Sequence, residues 1–365
     1  MKILLIGEFS NVHATLAEGL RTLGHEVTVI SNGDFWKNYP RDIDISRPSG
    51  LFGGSRLMLK LITLLPKMKG YDIVQLISQM FLDLKAEHIA FFYRYLLRHN
   101  KSVFMGANGF DDVWIKTCLE DKALRYSDFN IYETIRNYPK LEEWKSEWTG
   151  TFREQYSQEV AKTCTGIIPG LYEYWVGYNK RYPEKTKYIP YPIRMPENYN
   201  TERAHESKVV IFIGINRERS VYKGTDIMLQ AAKDVLSKYP NRMKLNIAES
   251  VPFAEYQKMM DGSDAILDQL YSYTPSMNPL LAMSKGIICI GGGEPENYEI
   301  INETELRPII NIEPTYESVY RELEQLVLHP ERIPELKRQS VEYVRRHHDY
   351  LKVARQYLDF WTIRR

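Results

Sequence analysis

The chain has 365 residues, 44% hydrophobic and 26% charged, and its 48 Lys and Arg nearly balance 47 Asp and Glu to leave a formal charge of +1. This length exceeds what one hydrophobic core serves and predicts two domains; the composition excludes a disordered chain, and the charge balance argues against nucleic acid as the main partner. Three cysteines, Cys118, Cys164 and Cys289, show no metal-ligand or redox spacing and leave an odd thiol in any disulfide scheme, which points to a reducing compartment. The apolar run Ile3 to Ile6 is too short for a signal-peptide core, and no run elsewhere approaches a membrane span, so the expected location is the cytoplasm.

In chain order, Ile3 to Ile6, a helical stretch with Leu16, Leu20 and Leu23 on one face, Gly24 as its stop, and Val27 to Ile30 read as a strand–helix–strand unit of a parallel sheet. Buried-strand runs recur at Asp72–Ile77, Ser102–Gly106 and Gly166–Pro169, with helical segments between them. Pro183, Pro190, Pro192 and Pro196 then interrupt the pattern, and a linker is predicted over 189–207. A second series follows: Val209–Gly214, a helix over Thr225–Tyr239, and runs at Lys244–Ala248, Ala265–Leu267, Ile287–Ile290 and Ile309–Ile312. The fold class is α/β, with two Rossmann-like, doubly wound parallel-sheet domains over 1–188 and 208–349. A last helix carries Leu351, Ala354, Leu358 and Trp361 at helical spacing.

The first loop lacks a Gly-x-Gly-x-x-Gly pattern: Gly7 is followed by Glu8, Phe9, Ser10, Asn11, Val12 and His13, which argues against a dinucleotide site. Between the strand ending at Gly214 and the helix at Thr225, the loop carries Arg217, Arg219 and Lys223-Gly224. Two cations at the mouth of a sheet suit a departing phosphate, although such residues also occur as solvated loop charges. Asn278-Pro279 reads as a helix N-cap with proline in the first turn, so the amides after Ser276 would face an anion. Gly291 to Gly293 precede Glu294 and Glu296, either to bring those carboxylates close to a ligand or as a plain surface turn. His13, with Ser10 and Asn11, and Asp111, with Asn108, lie in loops after strands, where open α/β sheets bind ligands; capping roles serve equally well. Asp42-Ile43-Asp44 is read as a chance pair of loop carboxylates rather than a metal site. Segments 55–69 and 89–101 combine bulky apolar residues with cations, as interfacial helices do and as helices packed on a sheet also do.

Several of these features in this order resemble the retaining, nucleotide-sugar-dependent "group 1" glycosyltransferases of GT-B fold: Gly24-His25-Glu26-Val27 in the first unit, Ile189-Pro190-Tyr191-Pro192-Ile193 at the domain crossing, the Gly214 loop with Arg217 and Lys223-Gly224, and Ala282-Met283 with Gly286. The resemblance implies two domains facing a cleft, with the final helix 350–365 crossing back to the first. It implies transfer of a sugar from a nucleotide diphosphate sugar to a glycan or lipid-linked acceptor, with retention, as in polysaccharide biosynthesis, with no metal and no resident cofactor. Arg217 and Lys223 would stabilise the leaving diphosphate, assisted by Arg219, while Ser276, Met277 and Asn278 bind the donor. The family's glutamate pair aligns with Tyr273 and Leu281, so its hydroxyl contacts would pass to Glu294 and Glu296. His13 and Asp111 would handle the acceptor, beside Ser10, Asn11 and Asn108, and 55–69 or 89–101 would touch a membrane surface. A nucleotide-sugar 2-epimerase of the same fold and a non-catalytic GT-B-like subunit are the alternatives.

Overall fold

A computed structural model describes residues 1–204, 207–249 and 251–364. The chain forms two compact units: Met1–Ala123 with Pro139–Pro192 and Tyr350–Arg365, and Leu124–Tyr138 with Ile193–Asp349. In chain order the first half forms β1 (Lys2–Ile6), α1 (Val12–Thr22), β2 (Glu26–Ser31), β3 (Ile43–Asp44), α2 (Gly53–Leu64), β4 (Ile73–Leu76), α3 (Ala86–His99), β5 (Ser102–Ala107) and α4 (Asp112–Leu119). A short antiparallel hairpin, β6 (Asn130–Ile131) and β7 (Thr134–Ile135), interrupts it before α5 (Pro139–Trp148), α6 (Phe152–Thr163), β8 (Gly166–Pro169) and α7 (Tyr172–Arg181).

The six strands of the first unit are all parallel, in the order β3-β2-β1-β4-β5-β8. Chain connection moves outward from β1 to β3 and then returns to β4 on the other side, so the winding reverses between β1 and β4. Helix α1 lays Leu16, Ala17 and Leu20 on the sheet, and Gly24 beyond its end adopts φ +84°, a left-handed conformation that suits glycine. The final helix, α15 (Tyr350–Arg364), belongs to this unit's core: Val353, Ala354, Tyr357, Phe360 and Trp361 pack with Ile3, Leu5, Leu16 and Phe104. Its close approach to α1 needs Gly19, where a Cβ would meet the Tyr350 carbonyl oxygen at 2.8 Å.

The second unit contains β9 (Val209–Ile215), α8 (Ser220–Lys223), α9 (Thr225–Lys238), β10 (Met243–Glu249), α10 (Phe253–Met260), β11 (Ala265–Leu267), α11 (Met277–Ser284), β12 (Ile288–Gly291), α12 (Pro295–Glu299), β13 (Ile310–Asn311), α13 (Tyr316–Leu328) and α14 (Ile333–His347). Its five parallel strands run in the order β10-β9-β11-β12-β13, with the reversal between β9 and β11. One segment departs from the expected 1–188 domain: Leu124–Tyr138, the β6–β7 hairpin, packs with the second unit. Its anchors there, Tyr222, Tyr271, Tyr273 and Glu294, lie far along the chain and invisible to local pattern.

Candidate functional site

At the mouth of the second sheet, the polypeptide leaves β9 through Asn216, whose side chain accepts from the Glu218 amide and starts a single 3-10 turn, Arg217–Arg219. Arg217 and Arg219 both stand in solvent. Arg217 pairs with Glu249 at the end of β10, and its hydrogen bond holds that carboxyl below the usual value. Lys223 ends α8; its backbone carbonyl accepts from the Leu270 amide at 2.9 Å, which ties the turn to the loop after β11. Gly224 follows at φ +72°, and a Cβ there would sit 2.5 Å from Leu270 Cβ. Both the left-handed turn and the close approach require glycine, so the Lys-Gly pair has a local structural cause.

After β11, the chain runs through Tyr271 and the buried Tyr273 to α11. The helix begins at Met277, with Ser276 in extended geometry as its N-cap and no side-chain cap bond. This corrects the sequence-based reading of Asn278 as the cap: Asn278 lies inside the first turn, and its side-chain amide donates to Tyr256 Oη at 2.9 Å. Ser276 and Asn278 are part-exposed, whereas Met277 is buried. The amides of Met277 and Asn278 receive no cap from the Ser276 side chain and lie at the positive end of the helix dipole.

The glycine loop after β12 is not a slack surface turn. Gly291 to Gly293 are buried, and a Cβ on Gly292 would lie 2.2 Å from the Ser272 carbonyl oxygen. Glu294 and Glu296, expected to await a ligand, are already paired. Arg125 of the hairpin donates to Glu296 Oε1 at 2.5 Å and to Glu294 Oε2 at 2.8 Å. Glu294 also accepts from Tyr126 Oη at 2.5 Å and from Asn311 Nδ2 at 3.1 Å. Burial works against ionisation of Glu296, but the Arg125 guanidinium outweighs it and holds that carboxyl below the usual value. Tyr273, at the position of the family's first glutamate, accepts the Arg125 amide at 2.6 Å and lies under its guanidinium, 5.0 Å from the ring centroid. Leu281, at the second, is a part-buried residue inside α11.

The mouth of the first sheet is built differently. Ser10 and Asn11 take positive φ, 51° and 74°, between β1 and α1. Ser10 receives a hydrogen bond from Lys37 Nζ at 3.1 Å, and its amide donates to Asp34 Oδ2 at 2.8 Å. His13 is buried; its Nδ1 carries a proton donated to the Gly7 carbonyl at 2.8 Å, and burial pushes its pKa down to about 4. Glu8, which sequence reasoning passed over, is also buried and accepts from the His13 and Ala14 amides at 3.2 and 2.8 Å, taking over the cap of α1. Desolvation raises its pKa to about 8, with Asp34 adding to the effect.

Asp111 is the N-cap of α4, accepting from the Trp114 amide at 2.7 Å on one oxygen and from Tyr178 Oη at 2.6 Å and Gln79 Nε2 at 3.1 Å on the other. Burial lifts its pKa to about 6. Asn108 is equally engaged, donating to the Ile77 carbonyl at 3.0 Å and accepting from Tyr191 Oη at 3.2 Å. Asp42 accepts from the Val29 amide and Arg21, and Asp44 from Arg41 and Ser46, so both carboxylates fasten the sheet edge. Among the described residues no three His, Cys, Asp or Glu side chains group as a metal site requires.

No family model and no curated protein matches this sequence. Solved structures do. Anabaena HepE in complex with UDP and glucose aligns over 99% of this chain and 99% of its own, with TM-score 0.60 and 11% identity. WaaG, a glycosyltransferase involved in lipopolysaccharide biosynthesis, aligns over 99% and 100%, with TM-score 0.61 and 11% identity. A UDP-N-acetylglucosamine 2-epimerase from Listeria monocytogenes, named as putative, aligns over 98% and 95%, with TM-score 0.56 and 12% identity. With two parallel-sheet Rossmann-like units and a last helix that returns to the first of them, the chain has the GT-B glycosyltransferase fold.

Proposed function

We propose that this chain is a glycosyltransferase that moves a sugar from a nucleotide diphosphate sugar, held by the second unit, to a glycan or lipid-linked acceptor. The observation that carries this reading is the second sheet's mouth. Where its winding reverses, the Arg217–Lys223 turn leaves β9 and the open N-terminus of α11 follows β11, so side-chain cations and helix amides share one edge. That combination suits a diphosphate, and HepE holds UDP and glucose on the same fold. As the glycosidic bond breaks, charge develops on the leaving diphosphate; Lys223 and Arg217, with Arg219, stabilise it there. Arg217 must exchange Glu249 for phosphate to do so. Ser276, Met277 and Asn278 contribute amides to the same anion. The diphosphate is thereby neutralised without a metal or a resident cofactor.

Retention fits the first unit's construction. If the leaving phosphate oxygen takes the acceptor's proton, no protein base is needed, and Asp111, His13 and Asn108 are left to shape the loops that receive the acceptor. The neutral His13 and the bonded Asp111 suit this supporting role better than proton transfer. A lipid-linked acceptor is favoured by α2 and the turn before it. Leu51, Phe52, Leu59 and Ile62 are exposed at 100%, 69%, 64% and 44%. Residues 51–70 carry Arg56, Lys60, Lys67 and Lys69 with no acidic residue, as an interfacial helix on an anionic bilayer would. Segment 89–101 lies instead largely in α3, whose inner face is buried. No helix among the described residues is long and apolar enough to cross a membrane, so contact with the cytoplasmic face would be peripheral.

The Listeria structure favours a second reading, nucleotide-sugar 2-epimerisation. Incubation with UDP-sugars separates the two. Release of UDP that requires an added acceptor supports transfer, an altered sugar without acceptor supports the epimerase, and absence of binding to every nucleoside diphosphate tested by calorimetry supports a non-catalytic subunit.

A further inference from the structure

We propose that the hairpin Leu124–Tyr138 is a gate over the donor site, latched by Arg125 on Glu294 and Glu296; this rests on the donor reading above. The hairpin touches the loops that follow β9, β11 and β12, three of the second sheet's five strands. At one end the Arg136 guanidinium lies over the Tyr271 ring, 3.6 Å from its centroid, and donates to the carbonyls of Val221 and Tyr222 at 2.6 and 3.1 Å. Tyr222 in turn hydrogen-bonds Asp128. At the other end Arg125 and Tyr126 hold Tyr273, Glu294 and Glu296. One element thus spans from the cationic turn to the carboxylate loop, across the segment that leads into α11.

The hairpin keeps its own shape. Ser127 and Asn130 join side chains, Asn130 Nδ2 donates to the Leu124 and Tyr132 carbonyls at 3.1 Å, and Tyr138 Oη donates to the Asp128 carbonyl at 3.0 Å. It would therefore keep this shape when one end is released. Its two ends differ in how readily they release. Arg136 is part-buried, held over the Tyr271 ring and on two backbone carbonyls, so an incoming anion reaches it less readily than it reaches the exposed Arg125. Arg125 has 47% of its side chain in solvent and is bound by carboxylates, for which a diphosphate is a direct competitor. Donor binding would then draw Arg125 from Glu294 and Glu296 and free the part-exposed Glu296 to accept sugar hydroxyls, the role left vacant at Tyr273 and Leu281, while the buried Glu294 keeps its bond from Asn311.

The test uses the full chain, its Arg125→Gln variant, and the charge swap Arg125→Glu with Glu296→Arg. Amide hydrogen exchange over 124–135 should speed at least tenfold in Arg125→Gln, with a smaller rise in Tyr126→Phe and slow exchange restored by the swap. Stopped-flow binding of UDP should show a several-fold faster association in Arg125→Gln. Unchanged exchange, or a slower association, overturns the gate, because a merely structural contact would weaken the site when removed. If exchange speeds but neither protein binds UDP or any other nucleoside diphosphate, the donor reading fails and the gate with it. If wild type binds UDP normally and the variant associates at the same rate, the gate alone fails.

Discussion

The two sheet mouths use polar residues in opposite ways. In the first unit, Glu8, His13, Asn108 and Asp111 lie at strand ends where ligands bind in such sheets, yet the atoms described are taken up by backbone amides, carbonyls or neighbouring side chains. In the second, Arg217 and Arg219 stand in solvent, no side chain caps the start of α11, and the part-exposed Glu296 is paired with an arginine half in water. Buried polar groups with full hydrogen bonding set architecture, because breaking them leaves desolvated partners; exposed charges exchange partners at little cost. On the proposed function, charge handling falls to the second unit and shape to the first.

Asp111→Ala tests the architectural side most severely. It removes a helix cap and strands the buried Tyr178 hydroxyl and Gln79 amide, with an expected loss of roughly 3–5 kcal/mol in denaturant unfolding of the first unit. A fold left intact with turnover abolished would instead make Asp111 a catalytic group and break the comparison. Lys223→Ala tests the other side: turnover should fall on the order of 100-fold, about 2.7 kcal/mol, with the fold retained. Unchanged kinetics would remove Lys223 from the site.

The pH dependence of stability sharpens the contrast further. Glu8 keeps its proton to about 8 when folded against a usual 4.5, so the folded state binds more protons in that window and stability falls as pH rises through it. His13, lowered to about 4 from 6.5, acts oppositely but only below 6.5, and Asp111 titrates by about 6. Between about 6.5 and 8 the first unit should lose up to about 2 kcal/mol, at about 1.4 kcal/mol per pH unit. Glu8→Gln should flatten that slope in thermal melts; a slope that survives would assign it elsewhere. Arg217→Ala is the mildest change. Its pair with the part-exposed Glu249 lies at the surface, so melting should hardly move, and UDP affinity by calorimetry should weaken only a few-fold.

Much of the scaffold is legible in the sequence because its strands are uninterrupted apolar runs: Gly166–Pro169 and Ala265–Leu267 are found at their observed ends. The Arg217–Gly224 turn is legible because Gly224 answers a local need for positive φ. The hairpin is not, since Arg125 meets Glu294 across 169 positions and nothing in Leu124–Tyr138 foretells a distant partner. For the same reason Glu294 and Glu296 look free in the sequence. Asn278 misleads as a cap because Ser276, two residues earlier, already has the extended backbone that a helix start requires. Glu8 reads as an ordinary loop acid; only the fold of β1 into α1 turns it onto two helix amides.

Amide hydrogen exchange with and without saturating UDP, followed peptide by peptide, tests most directly whether the second unit is the donor side. The account predicts protection at 216–224 and at 276–280, with exchange over 8–14 and 108–114 unchanged. Protection confined to the first unit's loops, or none in either unit at a concentration where calorimetry shows binding, would contradict it.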